Sequence, residues 1–240
     1  MYFISAPFGN YLHYQGSVSV TGTWTVDPRP GRIKQIVKTL RYTKTGWRNK
    51  LGLRNLGLRV GMLKTNYDDC LSLAAINPQD WSIIFDMISI VRNVELNISC
   101  PNIDSHEDTT QFEGFSRFIK LQGKWKIVKV PPTSSTQLID KIVDFGYTQI
   151  HASNTLHTDK GGLSGRILTP HTLRLIDYLK NTHPHVEVIA GGGVYSKEDA
   201  QRYIDAGADH ISLGTVCFTP WRIKSILHHN IDFGSVAQLD

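Results

Sequence analysis

The sequence predicts an α/β protein, a single (β/α)8 barrel over residues 1–240. Three observations carry that expectation. Short apolar segments of strand type recur along the chain, and helical patterns lie between most of them. Such alternation calls for a parallel sheet, and eight strands call for closure into a barrel. Glycine runs follow the later strand segments, at the end where a barrel builds its sites. A doubly wound open sheet is the alternative architecture.

The candidate strands are Tyr2–Ser5, Ser17–Thr21, Leu58–Leu63, Val94–Ser99, Trp125–Val130, Thr148–Ala152, Val186–Ala190 and His210–Leu213. Each is a brief, mostly apolar run, often β-branched, bounded by polar residues or turn formers. Between them, Pro78–Val91 places Trp81, Ile84, Phe85, Ile88 and Val91 at helical spacing. Thr110–Leu121 and Gln137–Phe145 show the same pattern, and Thr169–Leu179 runs behind a Thr-Pro start. Ser196–Ala206 opens with Ser196 as N-cap and Asp199 three residues on, and Gly207 ends it. Pro220 opens a last helix, Thr219–Leu227. The link Trp24–Gly57 is unusually long and should hold a loop, a helix or a small excursion over the barrel mouth. No linker, internal repeat or low-complexity tract divides the chain.

Composition narrows the class. With 40% hydrophobic and 20% charged residues, 240 residues suit one large core. Three scattered cysteines form no metal-binding or disulfide pattern and point to a reducing compartment. No run of ~20 apolar residues occurs, so no integral membrane segment is expected. A strand-like segment starts at Tyr2, which leaves no room for a signal peptide, and a cytoplasmic location follows as an expectation. The formal charge is +5, with basic residues densest over 29–50. These suit a solvated helix face and loop, or the edge of an anion site; no nucleic-acid-binding signature accompanies them, so no nucleic-acid partner is expected.

One stretch concentrates chemistry. Val94–Asn102 reads Val-Glu-Leu-Asn-Ile-Ser-Cys-Pro-Asn: a strand halted by Pro101, with Asn97 and Asn102 on either side of Cys100. A lone cysteine there is either a small buried hydrophobe or a reactive thiol. Lys129 ends another strand between apolar neighbours, where burial would require an anionic or polar partner. Ser153-Asn154-Thr155 closes the sixth strand segment, and Asn49 falls in the excursion. Asn49, Asn97, Asn102 and Asn154 thus supply carboxamides at one mouth, each offering donors and an acceptor to a planar ring with imide edges. Glycine runs at Gly161–Gly165, Gly191–Gly193 and Gly214 follow strand segments six, seven and eight. They suit one phosphate, such as that of FMN. Neither GxGxxG nor GK[ST] occurs.

In their order along the chain, these residues resemble the dihydroorotate dehydrogenase family, FMN enzymes on a (β/α)8 barrel. The matches include Ser5-Ala6-Pro7, Arg48–Gly57, Asn97-Ile98-Ser99-Cys100-Pro101-Asn102, Lys129-Val130-Pro131-Pro132, Ser153-Asn154-Thr155, Gly161–Arg166, Gly191-Gly192-Gly193 and Gly214-Thr215. The resemblance implies that Cys100 is the base that takes a proton from the substrate carbon while hydride passes to flavin. It implies that Asn49, Asn97, Asn102, Asn154 and Thr155 hold a pyrimidine, and that Lys129 lies at the flavin's pyrimidine edge. Ser164, Gly165, Gly192, Gly193, Gly214 and Thr215 match the region around the FMN phosphate; Ser5, Ala6, Thr23, Asn97 and Ser153 are further expected cofactor contacts. A thiol suits the base role, since its reference pKa of about 8.5 is not far from ambient pH.

Two departures stand out. A second lysine usual in the family is absent; Gly22 stands at the second-strand position, and Arg29, Arg48 or Lys50 would have to substitute. The chain is also shorter than typical members and lacks both membrane-docking helices and an iron–sulfur segment. The leading expectation is oxidation of dihydroorotate to orotate, a small pyrimidine substrate, in pyrimidine biosynthesis. The alternatives are a related flavin enzyme acting on another reduced pyrimidine or an enoate, or a non-catalytic barrel that binds FMN or a pyrimidine. Related soluble enzymes are often homodimers. The electron acceptor is open among fumarate, quinone, oxygen and NAD through a partner.

Overall fold

The computed structural model describes residues 1–98 and 114–227. In chain order it holds β1 (Tyr2–Ile4), β2 (Ser17–Trp24), α1 (Arg32–Thr39), β3 (Arg41–Thr43), β4 (Gly46–Asn49), α2 (Leu58–Lys64) and β5 (Cys70–Leu73). Then come α3 (Asp80–Met87), β6 (Asn93–Asn97), β7 (Lys126–Val130), α4 (Thr136–Asp144), β8 (Gln149–Ala152) and β9 (Gly162–Ser164). The chain continues through α5 (Thr169–Thr182), β10 (Glu187–Gly191), α6 (Lys197–Asp205), β11 (His210–Leu213) and α7 (Trp221–Leu227). Strands β1, β2, β5, β6, β7, β8, β10 and β11 close into a parallel barrel in that order. The pairing of β11 with β1, Tyr2 beside Ile211, shuts the ring and excludes the open-sheet alternative.

One predicted strand is a helix. Leu58–Leu63 forms α2, and Cys70–Leu73 takes its place in the barrel. Leu58 is fully buried, and Gly61 lies so close to the Trp24 indole that a Cβ would come within 2.6 Å of the ring. Helical spacing puts both on one face. The true strand is only four residues long and buried at every position, so it shows no alternation. The predicted helix Thr110–Leu121 is described only in part, and that part is a 3-10 helix, Phe115–Lys120. The other predicted helices form with shifted ends. Ser196 caps α6 by accepting from the Asp199 N–H at 3.3 Å, and Gly207 ends the turn at φ +103°.

Two cores result. The larger lies between strands and helices. The smaller, Phe3, Val18, Val20, Cys70, Trp125, Ile127 and Ile189, plugs the barrel's amino-terminal end. Of the alternatives for the long link, it holds a helix and a small excursion: α1 and the β3–β4 hairpin lie between β2 and α2, and β4 pairs antiparallel with β9, Trp47 beside Ser164. Gly46 permits that approach, because a Cβ there would lie 2.1 Å from the Ser164 carbonyl oxygen. Among the described residues, no helix is long and apolar enough to cross a membrane.

Candidate active site

Strand alternation builds the floor of the site. Side chains two apart share a face, so Glu95 and Asn97 point into the barrel together, as do Ile127 and Lys129, and His151 and Ser153. Above the apolar plug they form a charged layer. Lys129 Nζ lies 3.8 Å from Glu95 Oε1, and His151 Nδ1 lies 2.7 Å from Glu95 Oε2. The Ser72 hydroxyl donates to Glu95 Oε1 at 2.8 Å. The exposures of Glu95, Lys129 and His151 are 0%, 5% and 1%, so these groups meet almost no water. Burial alone would raise the Glu95 carboxyl, but Lys129, His151 and Ser72 together bring it down to about 2. Burial, helped by Lys129, lowers the His151 imidazole and outweighs the Glu95 hydrogen bond. The consistent assignment is ionised Glu95 paired with Lys129, and neutral His151 donating from Nδ1 to the carboxylate. That leaves Nε2 toward Gly191, where an added Cβ would lie 3.1 Å away.

Two connected cavities stand on this floor. The inner one, about 330 Å³, is lined by Ser5, Ala6, Lys129, His151, Ser153, Ser164, Gly165, Gly192, Gly193, Gly214 and Thr215, among others. The volume falls in the usual range for a small-molecule site. Its glycine loop is fixed from behind. Asp199 accepts from the Tyr195 backbone N–H at 3.0 Å and from Arg166 at 3.1 Å, and Tyr203 donates to the Gly192 carbonyl at 2.5 Å. Tyr195 in turn donates to the Thr215 hydroxyl at 2.9 Å. The outer cavity, about 550 Å³, is lined by Thr23, Asn49, Asn97, Asn154 and Thr155, with Lys50, Arg54 and Arg32. Asn154 donates to Asn97 Oδ1 at 3.2 Å, and Asn97 donates to the Thr23 hydroxyl at 3.2 Å. Ala6, Asn49, Lys129, Asn154 and Thr155 border both cavities.

The structure therefore gathers the described site residues at one mouth: Gly165, Gly192, Gly193 and Gly214 line the inner cavity, Gly161 and Gly162 the outer, and Asn97 lines the outer cavity while Asn49 and Asn154 border both. Cys100 and Asn102 lie outside the described residues. Sequence reasoning missed Glu95, His151, Ser72 and Arg32. The first two carried a usable signal: an ionisable residue inside an apolar strand, two positions before Asn97 or Ser153. Arg32 had none beyond the general basic density of its segment. Among the described residues no group of His, Cys, Asp or Glu could hold a metal.

Comparison with known proteins agrees in both sequence and fold. A family model described as dihydroorotate dehydrogenase matches residues 9–232. The catalytic subunit of dihydroorotate dehydrogenase B (NAD(+)) from Thermotoga maritima is 27% identical, over 89% of this chain and 88% of its own. The corresponding Cutibacterium acnes subunit is 29% identical, over 87% and 77%. A putative dihydroorotate dehydrogenase A (fumarate) from Pediococcus pentosaceus is 29% identical, over 85% and 77%. The Eimeria tenella enzyme crystallised with ferulenol has the same fold, with a TM-score of 0.68 at 20% identity over 88% of this chain and 72% of its own.

Proposed function

The chain belongs to the dihydroorotate dehydrogenase family, and we propose that it oxidises dihydroorotate to orotate in pyrimidine biosynthesis with FMN as cofactor. The observation that carries this is a pair of adjoining cavities: an inner one with Gly165, Gly192, Gly193 and Gly214 in its wall meets an outer one bordered by Asn49, Asn97 and Asn154, and Lys129 and Asn154 border both. A flat phosphorylated ring suits the first and a reduced pyrimidine the second.

The inner walls fit FMN. Gly192 and Gly193 have φ of +94° and +76°, so backbone rather than side chain faces the cavity. Ser164, Gly165, Gly214 and Thr215 complete a cradle suited to phosphate. Ser5, Ala6 and Ser153 also line this cavity, whereas Thr23 and Asn97, expected as cofactor contacts, line the outer cavity. When bound, FMN supplies the hydride acceptor.

The chain's own groups do the remaining work. Lys129 lines the inner cavity and is held by Glu95, and its cation would favour negative charge on a ring bound there. Asn49, Asn97, Asn102, Asn154 and Thr155 hold the pyrimidine by its amide edges. The hydrogen-bonded order Asn154 to Asn97 to Thr23 fixes which amide faces donate and which accept. Cys100 takes the proton from the substrate carbon, which requires the thiolate.

The test is anaerobic mixing. The purified protein should be yellow with about one FMN per barrel, and dihydroorotate should bleach it. Cys100→Ala should slow bleaching at neutral pH by about 100-fold or more. A yellow protein that dihydroorotate leaves unchanged overturns the substrate assignment, and an unaltered rate in the variant overturns the base.

A further inference from the structure

Besides Lys129, three cations border the outer cavity without a role so far: Arg32, Lys50 and Arg54. Strand β2 cannot supply one near its end. Gly22 has φ +111°, and a Cβ there would lie 2.6 Å from the Ser72 carbonyl oxygen. The guanidinium of Arg32 approaches this point from α1, with Nη2 3.5 Å from the Gly22 carbonyl oxygen. Its Nε donates to the Arg54 carbonyl at 2.8 Å, and Nη1 donates to the Tyr11 hydroxyl at 3.3 Å.

Arg32 and Lys129 are the only lysines or arginines that line both cavities among the described residues. Lys129 is committed to Glu95. Arg32 makes no ion pair with a described residue. A guanidinium carries five N–H donors in a plane. Three are used in the contacts above, which leaves one on each terminal nitrogen for an anion. Two parallel N–H groups on a rigid fork match a carboxylate. Arg32 is also anchored by backbone carbonyls, so less side-chain freedom is lost when an anion binds.

We propose that Arg32 reads the substrate's carboxylate and thereby makes the site select carboxylated pyrimidines over uncharged ones. This rests on the dihydroorotate assignment above. Sequence inspection pointed to Arg29, Arg48 and Lys50 as substitute cations. Neither Arg29 nor Arg48 lines the two cavities; Lys50 and Arg54 line only the outer one, and they donate to the Asp159 and Pro30 carbonyls.

The experiment titrates the FMN-loaded protein with orotate and with uracil, which lacks the carboxylate, and reads binding from the flavin spectrum. The wild-type protein should bind orotate more tightly than uracil. Arg32→Gln should weaken orotate by roughly 10- to 100-fold, as expected for a charged, paired hydrogen bond. Uracil affinity should change less than about twofold, and FMN content should be unaltered. Arg32→Lys keeps the charge without the fork and should lie between. If Arg32→Gln does not fold, Arg32→Lys carries the test, with about a tenfold loss expected for orotate alone. Bleaching by dihydroorotate in the wild type, together with an orotate preference that survives both substitutions, overturns the role of Arg32 and leaves the function standing. An FMN-loaded wild type that is not bleached and does not prefer orotate overturns both.

Discussion

The barrel rim and the excursion face each other across the same cavities, but they hold their side chains by different means. On the rim, Glu95, Lys129 and His151 project from paired strands and are almost wholly buried. On the excursion, α1 buries no residue, and Arg32, Trp47 and Asn49 are half-buried. Trp47 rests on Phe218 with ring centroids 4.4 Å apart, and backbone pairing with β9 does the rest. A buried charge tolerates no change of partner, so the rim suits what must stay constant, the electrostatics around a ring system. A solvated arm tolerates substitution, so the excursion suits what distinguishes one substrate from another.

The comparison breaks first at Glu95. Glu95→Ala leaves Lys129 buried without its carboxylate and should cost about 3–5 kcal/mol in urea unfolding. A loss under about 1 kcal/mol would mean that the charged layer is not the rigid partner. Acid should weaken the same layer. Glu95 titrates lower when folded, so its contribution is present above its ordinary value of 4.5 and fades as pH falls toward about 2. The loss is on the order of 3 kcal/mol. His151 adds to the fall from the other side. Its folded value is below its ordinary 6.5, so the unfolded chain takes the proton first and stability declines as pH drops below about 6.5. Stability measured against pH should therefore fall below 6.5 and steepen below 4.5, with the upper part of the fall reduced in His151→Asn.

A smaller effect is expected at Gly192. At φ +94°, with a Cβ 2.6 Å from Leu168 Cβ, Gly192→Ala should cost about 1–3 kcal/mol and release FMN. Unfolding midpoint and bound flavin report the two effects. The smallest belongs to the excursion. Trp47→Ala should leave global unfolding nearly unchanged, while amides of α1, which should exchange faster than those of β6–β8 in the wild type, should lose protection further. Equal exchange in both regions would erase the contrast.

Much of the barrel was legible because parallel strands repeat one local pattern. His210–Leu213 is found as predicted, and most other strand segments shift by only a residue or two. The third strand was not legible. Leu58-Arg59-Val60-Gly61-Met62-Leu63 is too short an apolar run to tell a buried helix face from a strand, and Cys70–Leu73 is shorter still. In the site, glycines and carboxamides could be picked out by residue type. The Glu95–Lys129–His151 cluster could be inferred only from strand register, which places Lys129 beside both Asn97 and His151 across neighbouring strands. Arg32 depends on the path of the excursion, which no local pattern in residues 25–57 specifies.

Strands β4 and β9 are knitted through Trp47–Ser164, Arg48–Leu163 and Asn49–Gly162. One partner comes from the link between β2 and α2, the other from the link between β8 and α5. Backbone pairing ties the two edges together, so opening the mouth on that side would break all three register pairs at once. The residence time of a bound molecule would then depend on this seam, where Gly46 lets the two strands approach.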